Sequence, residues 1–78
     1  MKLDLYMKPT CPFCHRVMDV ITEMGVGDQI TMHDVSADPT ALQTLIEVGG
    51  TNQVPCLFID GKPMYESGDI VEWLRANL

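Results

Sequence analysis

Basic residues are scarce in this 78-residue chain: five lysines and arginines stand against eleven aspartates and glutamates, a formal net charge of -6. A surface of that sign repels phosphate backbones and anionic headgroups, which argues against nucleic acid or anionic membrane as a partner. Long apolar runs are missing too, and no stretch approaches the roughly 20 residues that span a bilayer. The opening Met1-Lys2-Leu3-Asp4-Leu5-Tyr6 meets an acidic residue at once and carries no apolar block of the signal-peptide kind. The expectation is a cytoplasmic chain without membrane contact. Cysteines are few and odd in number, namely Cys11, Cys14 and Cys56, which does not fit a secreted disulfide framework. In a reducing compartment a close pair such as Cys11 and Cys14 is more often catalytic or metal-binding than structural. Repeats, low-complexity tracts and linkers are also lacking, so one domain over residues 1–78 is expected, acting as a monomer. With 46% hydrophobic and 21% charged residues, the composition is globular rather than disordered.

What is present reads as alternating strands and helices. Leu3, Leu5 and Met7 alternate with polar or mixed positions, which predicts a half-buried strand ended by Lys8-Pro9. Pro12 suits the first turn of a helix whose apolar positions are Val17, Val20, Ile21 and Met24, stopped by Gly25 and Gly27. Residues 30–35 predict a second strand. Asp38 as N-cap and Pro39 at the first helical position open a second helix, with Leu42, Leu45 and Ile46 as its stripe and Gly49-Gly50 as its end. The apolar run Cys56-Leu57-Phe58-Ile59 suits a central strand covered on both faces. Asp60-Gly61 signals a hairpin to a strand over 63–65, and Ser67 is placed to cap a last helix bearing Ile70, Val71 and Leu74. The order, βαβ followed by ββα, implies parallel strands with a right-handed crossover and then an antiparallel hairpin. That is an α/β chain, a four-stranded mixed sheet with helices on both faces, the layout of the thioredoxin fold.

Cys11-Pro12-Phe13-Cys14 falls between the first strand and the first helix. A cysteine at a helix N-terminus meets unpaired N–H groups and the positive end of the helix dipole, which stabilise a thiolate. Lys8, three residues upstream, adds positive charge. Both lower the pKa expected of Cys11. Cys14, one turn further in, suits a less exposed resolving thiol. Two other readings compete. A zinc site would need four ligands, leaving Cys56, His15 and His33 as further candidates. Cys11-Pro12-Phe13-Cys14-His15 also matches the haem-attachment pattern Cys-x-x-Cys-His, against which stand the missing export signal and the β/α alternation. The strand–motif–helix order favours redox chemistry. Cys56 is expected to be an inert core thiol, its position relative to the active site left open. Trp73, Met18 and Met24 are expected to pack helices, and the acidic residues to form a solvated surface.

Together these residues resemble the glutaredoxin family over essentially the whole chain. Lys8-Pro9-Thr10-Cys11-Pro12-Phe13-Cys14 is similar to the family's active-site segment, with Phe where Tyr is common. Val54-Pro55 resembles its Val-cisPro element, and Glu66-Ser67-Gly68-Asp69 falls where the family begins its last helix with a Gly-Gly-x-Asp-Asp type sequence. The resemblance implies a glutathione-dependent thiol–disulfide oxidoreductase with Cys11 and Cys14 catalytic and glutathione as cosubstrate. No permanently bound cofactor or metal is implied, and the partners would be glutathione and glutathionylated or disulfide-containing proteins. By the same resemblance glutathione would be held by Lys8, Thr10, Phe13, Val54, Pro55, Glu66, Ser67 and Asp69. Val54 would pair its backbone with the peptide, the head of the last helix would receive the γ-glutamyl carboxylate, Glu66 or Asp69 the ammonium, and Lys8 the glycyl carboxylate.

The chain departs from the pattern at Gly68, where the family usually has Asp. Gln53-Val54-Pro55 with Glu66-Ser67 also resembles the N-terminal domain of glutathione transferases, which share fold and ligand. The alternatives are a redoxin reduced by thioredoxin reductase and a non-catalytic module binding glutathione or an iron–sulfur cluster. The Trp-Ser-Gly-Phe-Arg-Pro type segment typical of the former has no match at Met64-Tyr65-Glu66-Ser67-Gly68, and Pro12 stands where cluster-binding relatives more often carry Ser or Gly.

Overall fold

The computed structural model describes residues 1–78. Its elements are β1 (Leu3–Met7), α1 (Pro12–Met24), a 3-10 turn (Gly27–Gln29), β2 (Ile30–Asp34), α2 (Pro39–Gly49), β3 (Cys56–Ile59), β4 (Lys62–Met64) and α3 (Ser67–Asn77). The sheet order is β2-β1-β3-β4. β1 runs parallel to β2, with Leu3 opposite Ile30 and Met7 opposite Asp34, and antiparallel to β3, with Tyr6 opposite Cys56. β4 returns antiparallel to β3. This is the expected thioredoxin fold.

The two-residue period of a strand sends neighbouring side chains to opposite faces, and here each face has its own core. Leu3, Leu5, Met7 and Leu57 pack with Cys14, Val17 and Ile21 of α1 and Ile70 and Leu74 of α3. Tyr6, Cys56 and Phe58 pack with Val35 and with Ala41 and Leu45 of α2. Cys14 and Cys56 therefore lie on opposite sides of the sheet.

The helix boundaries follow local chemistry. Asp38 caps α2, its carboxylate accepting from the N–H groups of Thr40 at 3.0 Å and Ala41 at 3.3 Å. Gly25 ends α1 in the left-handed region at φ 69°, where a side chain would be strained. The β3–β4 turn places Asp60 and Gly61 at φ 51° and 84°, as a two-residue hairpin turn of the primed type requires.

Four expectations are corrected. β1 is buried on both faces, because α1 and α3 cover Leu3, Leu5 and Met7 on one side of the sheet and α2 covers Tyr6 on the other. Ile46 is 47% exposed; α2 faces the core with Ala41, Leu42 and Leu45, and Ile46 falls on the solvent side of that stripe. β4 comprises Lys62–Met64, and Tyr65 has already left the ladder. Ser67 is the first residue of α3 rather than its cap; Glu66 holds the capping position at φ 68° with no side-chain capping bond.

Candidate active site

α1 begins where β1 releases the chain. Lys8-Pro9-Thr10 turns, closed by the Cys11 N–H donating to the Lys8 carbonyl at 3.1 Å. Cys11 takes the N-cap position with extended backbone (φ -90°, ψ 119°) and Pro12 opens the helix. Proline suits this place because the N–H it lacks would have no helical partner. Cys11 is half-buried, while Cys14, one turn in, is fully buried beneath it.

This placement drives the two thiols apart electrostatically. Burial is the largest influence on Cys11 and raises its pKa. The N–H of Cys14, the Cys14 thiol, the N–H of Phe13 and the charge of Lys8 act the other way, and together they hold Cys11 below the ordinary thiol value. For Cys14 burial again dominates, and proximity to Cys11 reinforces it. The Lys8 N–H, 3.5 Å from the Cys14 sulfur, and the Lys8 charge do not offset this, and Cys14 is pushed up to about 11. One thiol is thus poised to ionise and the other to donate a proton to it.

Beside the first turn of α1 lies a cleft of about 270 Å³ lined by Phe13, Gln53, Val54, Pro55, Glu66 and Ser67. One wall is the loop between α2 and β3, with a cis Val54-Pro55 peptide; the other is the head of α3. Phe13 is 63% exposed and gives the cleft an apolar side. Neither the N–H nor the C=O of Val54 takes part in a backbone hydrogen bond of the chain, so both are free for an extended peptide.

Five of the eight residues implied for glutathione therefore meet here: Phe13, Val54, Pro55, Glu66 and Ser67. Lys8 acts on the cysteines and does not line the cleft, and Thr10 is an exposed turn residue outside it. Asp69 faces a separate concavity with Met64, Glu72 and Trp73, so Glu66 is the only carboxylate lining the cleft. Gln53 is the lining residue not assigned from the sequence. Its Nε2 donates to Glu66 Oε1 at 3.4 Å, joining the two walls at their exposed edge, and its place before Val54-Pro55 was the available signal. His15 is exposed and its ring nitrogen contacts the Pro9 carbonyl. No three His, Cys, Asp or Glu side chains converge as a metal-ligating group.

The glutaredoxin family model matches residues 3–64. Among curated relatives, chloroplastic glutaredoxin-C4 of Oryza sativa subsp. japonica is 32% identical over 80 residues, covering 90% of this chain and 60% of the relative. The chain thus spans about three fifths of that protein's length. Among solved structures, the thioredoxin-like protein BC3987 superposes with a TM-score of 0.81 at 26% identity, covering 99% of this chain and 100% of that one. A glutathione S-transferase from Methylobacillus flagellatus, solved with glutathione bound, gives a TM-score of 0.79 at 26% identity, covering 99% of this chain and 37% of that one.

Proposed function

The chain belongs to the glutaredoxin family, and from that premise we propose that it is a glutathione-dependent thiol–disulfide oxidoreductase working through Cys11 and Cys14. The observation that carries this reading is the opposed perturbation of the two thiols, Cys11 lowered and Cys14 raised to about 11, in the helix turn whose Phe13 lines a cleft with a free backbone at Val54.

The Cys11 thiolate attacks the glutathionyl sulfur of a protein–glutathione mixed disulfide. A Cys11–glutathione disulfide forms, and the substrate's cysteine leaves as a thiolate that takes a proton. A second glutathione thiolate attacks the glutathionyl sulfur, giving oxidised glutathione and regenerating the Cys11 thiolate. The groups that hold Cys11 ionised also make it a good leaving group. In the dithiol route Cys14 attacks Cys11 instead, expels glutathione and closes the Cys11–Cys14 disulfide, which two glutathiones reopen. The Cys11 charge that opposes ionisation of Cys14 is gone once Cys11 is in a mixed disulfide, so Cys14 becomes more acidic when it is needed.

Glutathione is the cosubstrate, with no resident cofactor. Val54 pairs with its backbone, Phe13 packs against it, the head of α3 at Ser67 receives the γ-glutamyl carboxylate and Glu66 the ammonium. Glutathione bound to a transferase of the same fold supports the choice of ligand. Lys8, Thr10 and Asp69 remain part of the proposal as outer contacts, engaged by the glycyl end or by a protein substrate. The unit acts as a single domain and a monomer, in the cytoplasm; no helix is long and apolar enough to cross a membrane. The deciding comparison is Cys11→Ser against Cys14→Ser in deglutathionylation. Cys11→Ser should abolish turnover and Cys14→Ser should retain it. Equal loss in both would overturn the division of labour.

A further inference from the structure

The cleft stands between two segments with little in common. Its head-of-α3 wall continues directly into a helix, since the Ile70 N–H donates to the Glu66 carbonyl at 3.0 Å. The opposite wall is anchored at one end, where Val54 packs on both cores, Pro55 is buried and Cys56 enters β3 opposite Tyr6, and lacks such support at its α2 end. After Gly50, whose N–H returns to the Ile46 carbonyl at 3.0 Å, residues 51–55 make no backbone hydrogen bond within the chain. The side-chain tie between the walls, Gln53 to Glu66, is exposed and 3.4 Å long. At the α2 end of the loop the spacing between the walls must be set by another contact.

Tyr65 is placed to do so. It immediately precedes Glu66, its ring packs against the α2-side core, and its hydroxyl donates to the Gly49 carbonyl at 2.7 Å. That carbonyl belongs to the last residue of α2, the unsupported root of this wall, where helical carbonyls lose their partners. The fit is two-sided, because a Cβ on Gly49 would collide with the Tyr65 hydroxyl. Burial, followed by the adjacent Cys56, pushes the Tyr65 pKa up to about 12, so the donor proton is retained at any ordinary working pH.

We propose that Tyr65 is a positioning residue that sets the width of the cleft, holding Gly49 at the root of the 50–55 loop to Glu66 and Ser67 at the head of α3. Its effect on catalysis rests on the reading of the cleft as the glutathione site. Its effect on the loop does not. Tyr65 touches no reacting atom and acts through the placement of Val54 and Glu66.

Tyr65→Phe keeps the ring and removes only the donor. A net hydrogen bond corresponds to a factor of about 2–10 in an equilibrium, so two readouts should move by that factor. Amide hydrogen exchange at Gly50, whose N–H shares a peptide unit with the Gly49 carbonyl and is bonded to the Ile46 carbonyl, should accelerate, and KM for glutathione should rise, while kcat at saturation and the thiolate titration of Cys11 stay at wild-type values. Gly49→Ala, which displaces the hydroxyl from the other side, should give the same signature. Asp38→Ala uncaps α2 at its opposite end and should leave KM and exchange at Gly50 unchanged. Unchanged exchange at Gly50 in Tyr65→Phe overturns the proposal, as does an equal change in both readouts from Asp38→Ala. A wild type that does not turn over glutathione removes the functional reading, and the exchange comparison then decides the role of Tyr65 by itself.

Discussion

Cys14 should be almost inert toward alkylation in the folded protein even when Cys11 is absent. Its pKa stands at about 11 against an ordinary 9.0, with burial as the first cause, and its side chain is fully buried. Two units lower the thiolate population about 100-fold at any pH well below both values. The greater nucleophilicity of a more basic thiolate returns about tenfold of this, leaving a net slowing of about tenfold before any steric shielding. Replacing Cys11 by Ser removes two lesser contributions, the hydrogen bond to the Cys11 thiol and its charge, and leaves burial, the first cause, in place. The assay is iodoacetamide labelling of Cys11→Ser at pH 7.5, folded and in urea, with peptide mapping to separate Cys14 from Cys56. Cys14 should react at least about tenfold more slowly in the folded state. In the wild type, limiting reagent should label Cys11 first. Folded and unfolded rates for Cys14 within about twofold of each other would refute the reasoning.

Stability should carry the same signature on the alkaline side. The unfolded chain releases the Cys14 proton first, so stability present below pH 9 is lost as pH rises toward 11, by up to about 3 kcal/mol; urea midpoints from pH 8 to 11 should fall more steeply for wild type than for Cys14→Ala. Asp38→Ala removes the capping bonds to Thr40 and Ala41 and should cost about 1 kcal/mol by chemical denaturation, with catalysis unchanged. Phe13→Ala alters an exposed ring, so its stability should stay within about 0.5 kcal/mol of wild type while KM for a glutathionylated substrate rises.

The parts of the fold legible in the sequence are those written in local chemistry. Asp38-Pro39, Gly25 and Asp60-Gly61 each impose a backbone state on their own neighbourhood, and the structure places them as expected. The burial of Tyr6 was not legible, because it depends on α2 folding back over that face of the sheet, and alternation within one segment carries no information about what covers each face. Ile46 misled for a related reason: its spacing fits an apolar stripe, but only contact with the sheet decides which edge of the stripe is buried. In the site, Cys11 and Cys14 were readable because a helix N-terminus acts on its own first turn. Bringing Val54 opposite Glu66 needs the tertiary fold, and the resemblance, rather than periodicity, anticipated it. The bond from Tyr65 to Gly49 left no trace in the pattern, since nothing local marks a tyrosine whose partner is a carbonyl 16 residues away.

The central claim is that this chain reduces glutathione mixed disulfides through Cys11. The direct test is a coupled turnover assay with glutathione, glutathione reductase and a small glutathionylated disulfide, run on the wild type and on Cys11→Ser. Turnover in the wild type that vanishes in Cys11→Ser is the predicted result. A wild type that consumes no reducing equivalents, or a Cys11→Ser variant that still turns over, would contradict it.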